Sequence, residues 1–99
     1  MYLFHIISKI RYMGIISEKI DGKQIIVEIK SSNLKGATYN TESEELTVTF
    51  NNGSIYIYDK VPWSSFTKFR MAESQGKFFN ENVAKNYKYR KVSWVYLKN

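Results

Sequence analysis

The chain has 99 residues, one His, no Cys and a formal net charge of +6. That length holds one domain with a modest core and not two, and the missing thiols exclude a disulfide framework, a thiolate zinc site and a cysteine nucleophile. Apolar and charged shares of 43% and 24% are ordinary for a globular chain, whereas the aromatic share of 16%, with eight Tyr, is high.

Residues 2–13 carry Leu3, Ile6, Ile7 and Ile10 at i, i+3, i+4 and i+7, the spacing of one helix face. Their β-branched content favours a strand instead, and Gly14 ends the segment in either case. Polar His5, Ser8, Lys9 and Arg11 break the run, which falls short of the roughly 20 apolar residues of a bilayer span. No small-residue cleavage site follows it. Neither a membrane helix nor a signal peptide is expected, and the expected compartment is the cytoplasm.

Asp21-Gly22 between two Ile-rich runs predicts a hairpin over about residues 15–30, with strands 15–20 and 23–30 and a type I′ turn. Ser31, Ser32 and Asn33 interrupt it. Leu34–Asn40 reads as a short strand ending in the acidic turn Thr41–Glu45. A second hairpin spans about 45–60. There Leu46, Val48 and Phe50 alternate with Thr47 and Thr49, giving one apolar and one threonine-lined face. Two registers suit its turn. A two-residue Asn52-Gly53 turn pairs Phe50 with Ile55 and leaves Tyr56 and Tyr58 outside. A three-residue loop with Gly53 left-handed pairs Phe50 with Ser54 and turns both tyrosines inward.

Val61-Pro62-Trp63 opens a helix over about 63–74, with Trp63, Phe66 and Phe69 three apart and Gly76 as its stop. A shorter helix fits 78–85, with Phe79 and Val83 on one face. Alternation of Val92, Trp94 and Tyr96 with Ser93, Val95 and Leu97 predicts a closing strand. The fold class is α+β: a single domain, residues 1–99, with a mostly antiparallel sheet and two short helices on one face.

Residues 31–92 resemble a known family. SSNL, YN followed by acidic turn residues, LTVTF, NNGSIYIYDKVP, SQGKFFN and YKYRKV are similar to the KTSR domain, a small domain found alone in bacterial and phage proteins and appended to some lysyl-tRNA synthetases. The most specific parts are Ser74-x-Gly76-x-Phe78-Phe79-Asn80, Tyr87-x-Tyr89 and Tyr56-x-Tyr58-x-x-Val61-Pro62. Phe78 departs from the pattern, which has Tyr there. The resemblance implies the three-residue loop, with Tyr56 and Tyr58 inward, and makes residues 1–28 an N-terminal addition to a core of 31–92. It implies no activity, because the family's function is unassigned.

From residue 77 onward, six Lys/Arg face the single acid Glu81, so nearly all of the positive charge lies in the last 23 residues. Basic charge interleaved with rings is the footprint of a surface that meets phosphate and stacks on bases; a solvated, Tyr-rich strand carries the same composition. Candidate phosphate contacts are Lys77 and Asn80, at a helix start where free N–H groups favour an anion, and Lys85, Lys88, Arg90 and Lys91. If 87–91 is extended, Lys88 and Arg90 share one face and Tyr87, Tyr89 and Lys91 the other. Tyr56, Tyr58, Tyr87 and Tyr89 are the candidate stacking or pocket residues.

Catalysis has little to stand on. The lone His5 lies outside the family pattern, and no phosphate loop, nucleophile elbow or metal-ligand spacing occurs. The turn acids Glu42, Glu44 and Glu45 could hold a hard cation but read as solvated. No catalytic residue, metal or cofactor is expected. The expected function is a small basic binding module for nucleic acid without strong sequence specificity. The alternative is a phage or mobile-element interaction module that inhibits a host factor, for instance by sequestering a nucleotide signal. Expected partners are accordingly nucleic acid or a nucleotide, a protein docked through residues 1–13, or a second copy of the chain.

Overall fold

The computed structural model describes residues 14–92; the expectations for residues 2–13 and for the strand beyond Val92 lie outside them. Six strands, β1 (Ile15–Asp21), β2 (Gln24–Ile29), β3 (Leu34–Asn40), β4 (Leu46–Phe50), β5 (Ile55–Tyr58) and β6 (Tyr89–Val92), form one sheet in sequential order. Every neighbouring pair is antiparallel. Helix α1 (Trp63–Met71) and helix α2 (Gln75–Phe78), which continues as a π turn over Phe79–Val83, connect β5 to β6. The α+β class therefore holds.

Alternation explains which face the helices cover. Ile25, Val27 and Ile29 of β2, Ala37 and Tyr39 of β3, Leu46 and Val48 of β4 and Tyr58 of β5 all point to one side. There they meet Phe66 and Phe69 of α1 and Phe79 and Val83 of the π turn in one buried cluster. Tyr39 stacks on Phe66 with centroids 4.4 Å apart and donates its hydroxyl to the Val61 carbonyl at 2.7 Å. Because both groups are buried, Tyr39→Phe strands that carbonyl. The variant is expected to lose about 1–2 kcal/mol, read as a lower urea midpoint with an unchanged slope.

Three boundaries differ from those predicted. The first hairpin turns on Gly22-Lys23, with Asp21 paired to Gln24. Gly22 alone in this turn has positive φ, +60°, so the turn has the glycine-first pattern of type II′ and not the Asp-Gly pattern of type I′. Helix α1 ends at Met71, not 74, because Ala72 is extended, with ψ 148°. The second helix begins at Gln75, not 78: Ser74 caps it, its Oγ accepting from the Lys77 N–H at 3.2 Å. Gly76, expected as a stop, thus lies inside a helix.

Gln75 joins the two helices. Its side chain is buried and its Nε2 donates to the Ala72 carbonyl at 2.8 Å, with longer contacts to those of Phe69 and Arg70, closing the C-terminus of α1. Its Oε1 fills the space where a Cβ on Gly14 would stand. Gly14 is required there for want of room.

Candidate ligand-binding surface

The register of the second hairpin settles the tyrosines. Phe50 N–H donates to the Ser54 carbonyl at 2.8 Å, Gly53 is left-handed at φ +91°, and Val48 and Leu46 oppose Tyr56 and Tyr58. The three-residue loop and the inward orientation implied by the resemblance are the ones observed. Tyr58 is only 4% exposed, and burial, with smaller contributions from Tyr56 and Tyr89, pushes its hydroxyl up to about 12. It is a core ring, not a free stacking surface.

Tyr89 opposes Tyr58, and Lys91 opposes Tyr56, across the β5–β6 ladder. Tyr89 and Lys91 therefore share the face that carries the helices. Tyr89 lies beyond the helical cover at 57% exposure. Its ring is 5.5 Å from those of both Tyr56 and Tyr58. The Lys91 ammonium lies 6.0 Å from the centroid of the half-buried Tyr56, within reach of a cation–π contact. Tyr87 belongs elsewhere, its hydroxyl sharing a 2.9 Å hydrogen bond with Ser65 Oγ of α1.

The other predicted cations separate. Arg90 faces the opposite side of the sheet, where it donates to Asp59 at 3.1 Å and Glu45 at 3.3 Å. The hydrogen bond to Glu45, the largest cause, raises its pKa. Arg90 is thus already partnered by two carboxylates. Lys85, Lys88 and Lys91 are exposed and, among the described residues, make no ion pair. The turn acids diverge: Glu42 pairs with Lys23 at 2.7 Å and Glu45 with Arg90, so they do not assemble as a cation site.

Lys77 and Asn80 lie apart from the β6 edge. With Ser32, Asn33, Gly76 and Glu81 they line a groove of about 430 Å³. Here SSN and SQGKFFN meet: Gly76 is buried, and a Cβ on it would collide with Asn33 Oδ1. Asn33 and Ser32 were missed as site residues, although SSNL was among the matched motifs. Glu81 shares this groove with Lys77, and Glu73 and Glu81 line a neighbouring hollow with it. Both carboxylates stand beside Lys77 in these hollows and offset its charge, and the Lys77 N–H is taken by Ser74.

The model of the KTSC domain matches residues 30–87, more than half of the chain. The chain belongs to the KTSC domain family. KTSC is the family whose name the resemblance gave as KTSR. A crystal structure of a KTSC domain protein from Yersinia pestis superposes with a TM-score of 0.65 at 25% identity, covering 71% of this chain and 99% of that one. A Stutzerimonas stutzeri protein is 36% identical over 64 residues, 65% of this chain and 89% of that protein. The lysine–tRNA ligase of Nostoc sp. (strain PCC 7120) is 31% identical over 68 residues, 69% of this chain. This chain spans only 12% of the length of that ligase. The KTSC match starts after β2 and ends before β6, so the first hairpin flanks it on one side and the basic strand on the other.

Proposed function

We propose that this KTSC chain is a non-enzymatic module that binds nucleic acid, without strong sequence specificity, along its β6 edge. The observation that carries this reading is the Lys91 ammonium over the Tyr56 ring on the face where Tyr89 stands exposed. A base stacked on Tyr89 brings its phosphates toward Lys91. The exposed Lys85 and Lys88 of the segment leading into β6, which no acid neutralises among the described residues, supply further positive charge for the continuing strand. Similarity to a segment of a lysine–tRNA ligase, an enzyme named for its RNA substrate, supports the same class of ligand. Arg90, held by Glu45 and Asp59, positions β6 and does not contact the ligand. Among the described residues no helix is recognisable as a base-reading one, so the reading includes no base-sequence specificity.

Fluorescence polarisation with labelled single-stranded and duplex oligonucleotides tests this. Three phosphate contacts give a log–log salt slope of about −2 to −3, a loss of roughly 20- to 40-fold between about 50 and 200 mM salt. Lys88→Glu with Lys91→Glu should weaken binding by at least that factor at low salt and reduce the slope to about −1. Tyr89→Ala should cost roughly five- to 100-fold through lost stacking with little change of slope. Binding that survives the double charge reversal removes the β6 edge from the reading.

A further inference from the structure

We propose that β1 pairs edge to edge with β1 of a second copy of the chain, joining two sheets into one. The hairpin β1–β2 precedes the KTSC match, so β1 is a sheet edge that this chain has beyond the matched unit. That edge is open. Every residue from Ile16 to Asp21 is exposed, and two are large and apolar, Ile16 at 60% and Ile20 at 74%. Sheet edges are ordinarily guarded by shortness, bulges, proline or charge. Within its four described residues β6 carries Arg90 and Lys91. By contrast β1 has seven residues and no proline, its charges Glu18, Lys19 and Asp21 are of both signs and not one, and its one irregularity falls between Ile15 and Ser17, leaving Ser17–Asp21 regular.

The turn determines which backbone groups are free. Asp21 and Gln24 flank the two-residue turn and exchange both hydrogen bonds. Alternation then directs Ser17 and Lys19 toward β2 and points the N–H and C=O of Glu18 and Ile20 outward.

Charge selects the register. A two-fold axis at Ile20 places each Ile20 against its counterpart and each Lys19 opposite the Asp21 of the other copy. Ile20 sits at a hydrogen-bonded pair, through its outward N–H and C=O, and Lys19 and Asp21 at the flanking non-hydrogen-bonded positions, where facing side chains approach most closely. Glu18 stays on Arg70 of its own α1 at 2.9 Å. An axis at Glu18 instead opposes two carboxylates and runs into the irregularity at Ile15–Ser17. The strand is complementary to itself about Ile20 and not about Glu18.

Sedimentation equilibrium of the full chain at low salt should give a dimer. Lys19→Glu alone, or Asp21→Lys alone, sets like charges opposite each other twice per dimer and should raise the dimer Kd roughly tenfold or more. The double variant Lys19→Glu/Asp21→Lys should restore it. Ile20→Pro removes an outward N–H that β2 does not use, so it should yield a monomer whose β1–β2 amides stay protected from exchange. The native chain has no cysteine, so Ile20→Cys should also form a single intermolecular disulfide on oxidation. A monomer at about 300 µM, a dimer indifferent to both charge variants, or a monomer whose outward Glu18 and Ile20 amides already exchange slowly because residues 1–13 cover them, each overturns the proposal.

Discussion

Phe66→Ala is expected to remove about 3–5 kcal/mol of stability, through lost transfer energy and the cavity left behind. The ring is fully buried and joins α1 to β3. It stacks on Tyr39 at 4.4 Å with planes 8° apart, and lies 6.1 Å from Trp63 and 6.4 Å from Phe69. The Arg70 guanidinium sits 4.9 Å from its centroid while bonding Glu18 on β1. Alanine deletes the stack and leaves Arg70 without the ring beneath it. Neighbouring side chains cannot close the gap easily, because Tyr39 is tied to the Val61 carbonyl. Against a total stability of about 5–15 kcal/mol for such domains, the variant should lose a large share of it. Phe66→Leu, which keeps most of the volume, should lose far less. Urea denaturation of both decides the matter: a loss under about 2 kcal/mol for the alanine variant means that α1 is not the anchor of this core.

Side chains that alternate within one segment were legible in the sequence, and pairings that bridge distant segments were not. The strand from Leu46 to Phe50 was readable because apolar and threonine positions alternate over five residues. Residue pattern alone left the next strand undecided. Asn52-Gly53 suits two loops, and the four residues IYIY present an apolar side in either register, so a shift of one exchanges Ile55 and Ile57 for Tyr56 and Tyr58. The resemblance chose correctly where hydrophobicity could not. The Gly14 break was visible, but its cause, the buried Gln75 amide 61 positions away in the sequence, was not. Arg90 shows the same limit: its carboxylate partners, Glu45 and Asp59, lie on the far side of two loops and two helices. Lys77 is alike: in the sequence it is a phosphate candidate at a helix start, and only the fold shows Glu73 and Glu81 lining the hollows beside it. The basic third of the chain is therefore not one patch. Lys77 belongs to the groove at Asn33, Arg90 to the sheet face opposite the helices, and Lys91 to the edge with Tyr56 and Tyr89, while Lys85 and Lys88 are exposed on the segment that leads into β6.

Tyr58 should make the protein lose about 2 kcal/mol between pH 10 and pH 12. The unfolded chain releases the phenolic proton at its ordinary value of 10, whereas burial holds the folded group to about 12. Between those values the folded state carries a proton that the unfolded state has lost. Stability therefore falls as pH rises through this interval, and is undiminished below it. Tyr39, whose hydroxyl is likewise raised chiefly by burial, acts in the same direction and also loses its bond to Val61 on ionising. Tyr58→Phe keeps the ring against Phe79, 5.2 Å away, and removes the titration. Urea midpoints measured from about pH 8 to pH 11.5 should then fall less steeply for Tyr58→Phe than for the native chain. Parallel curves would show that the hydroxyl reaches water in the folded state. Tyr58 would then rejoin Tyr56 and Tyr89 as a ring that a ligand can touch. A divergence of the stated size makes it the buried floor on which those two rings rest, and leaves ligand contact to Tyr89 and Lys91.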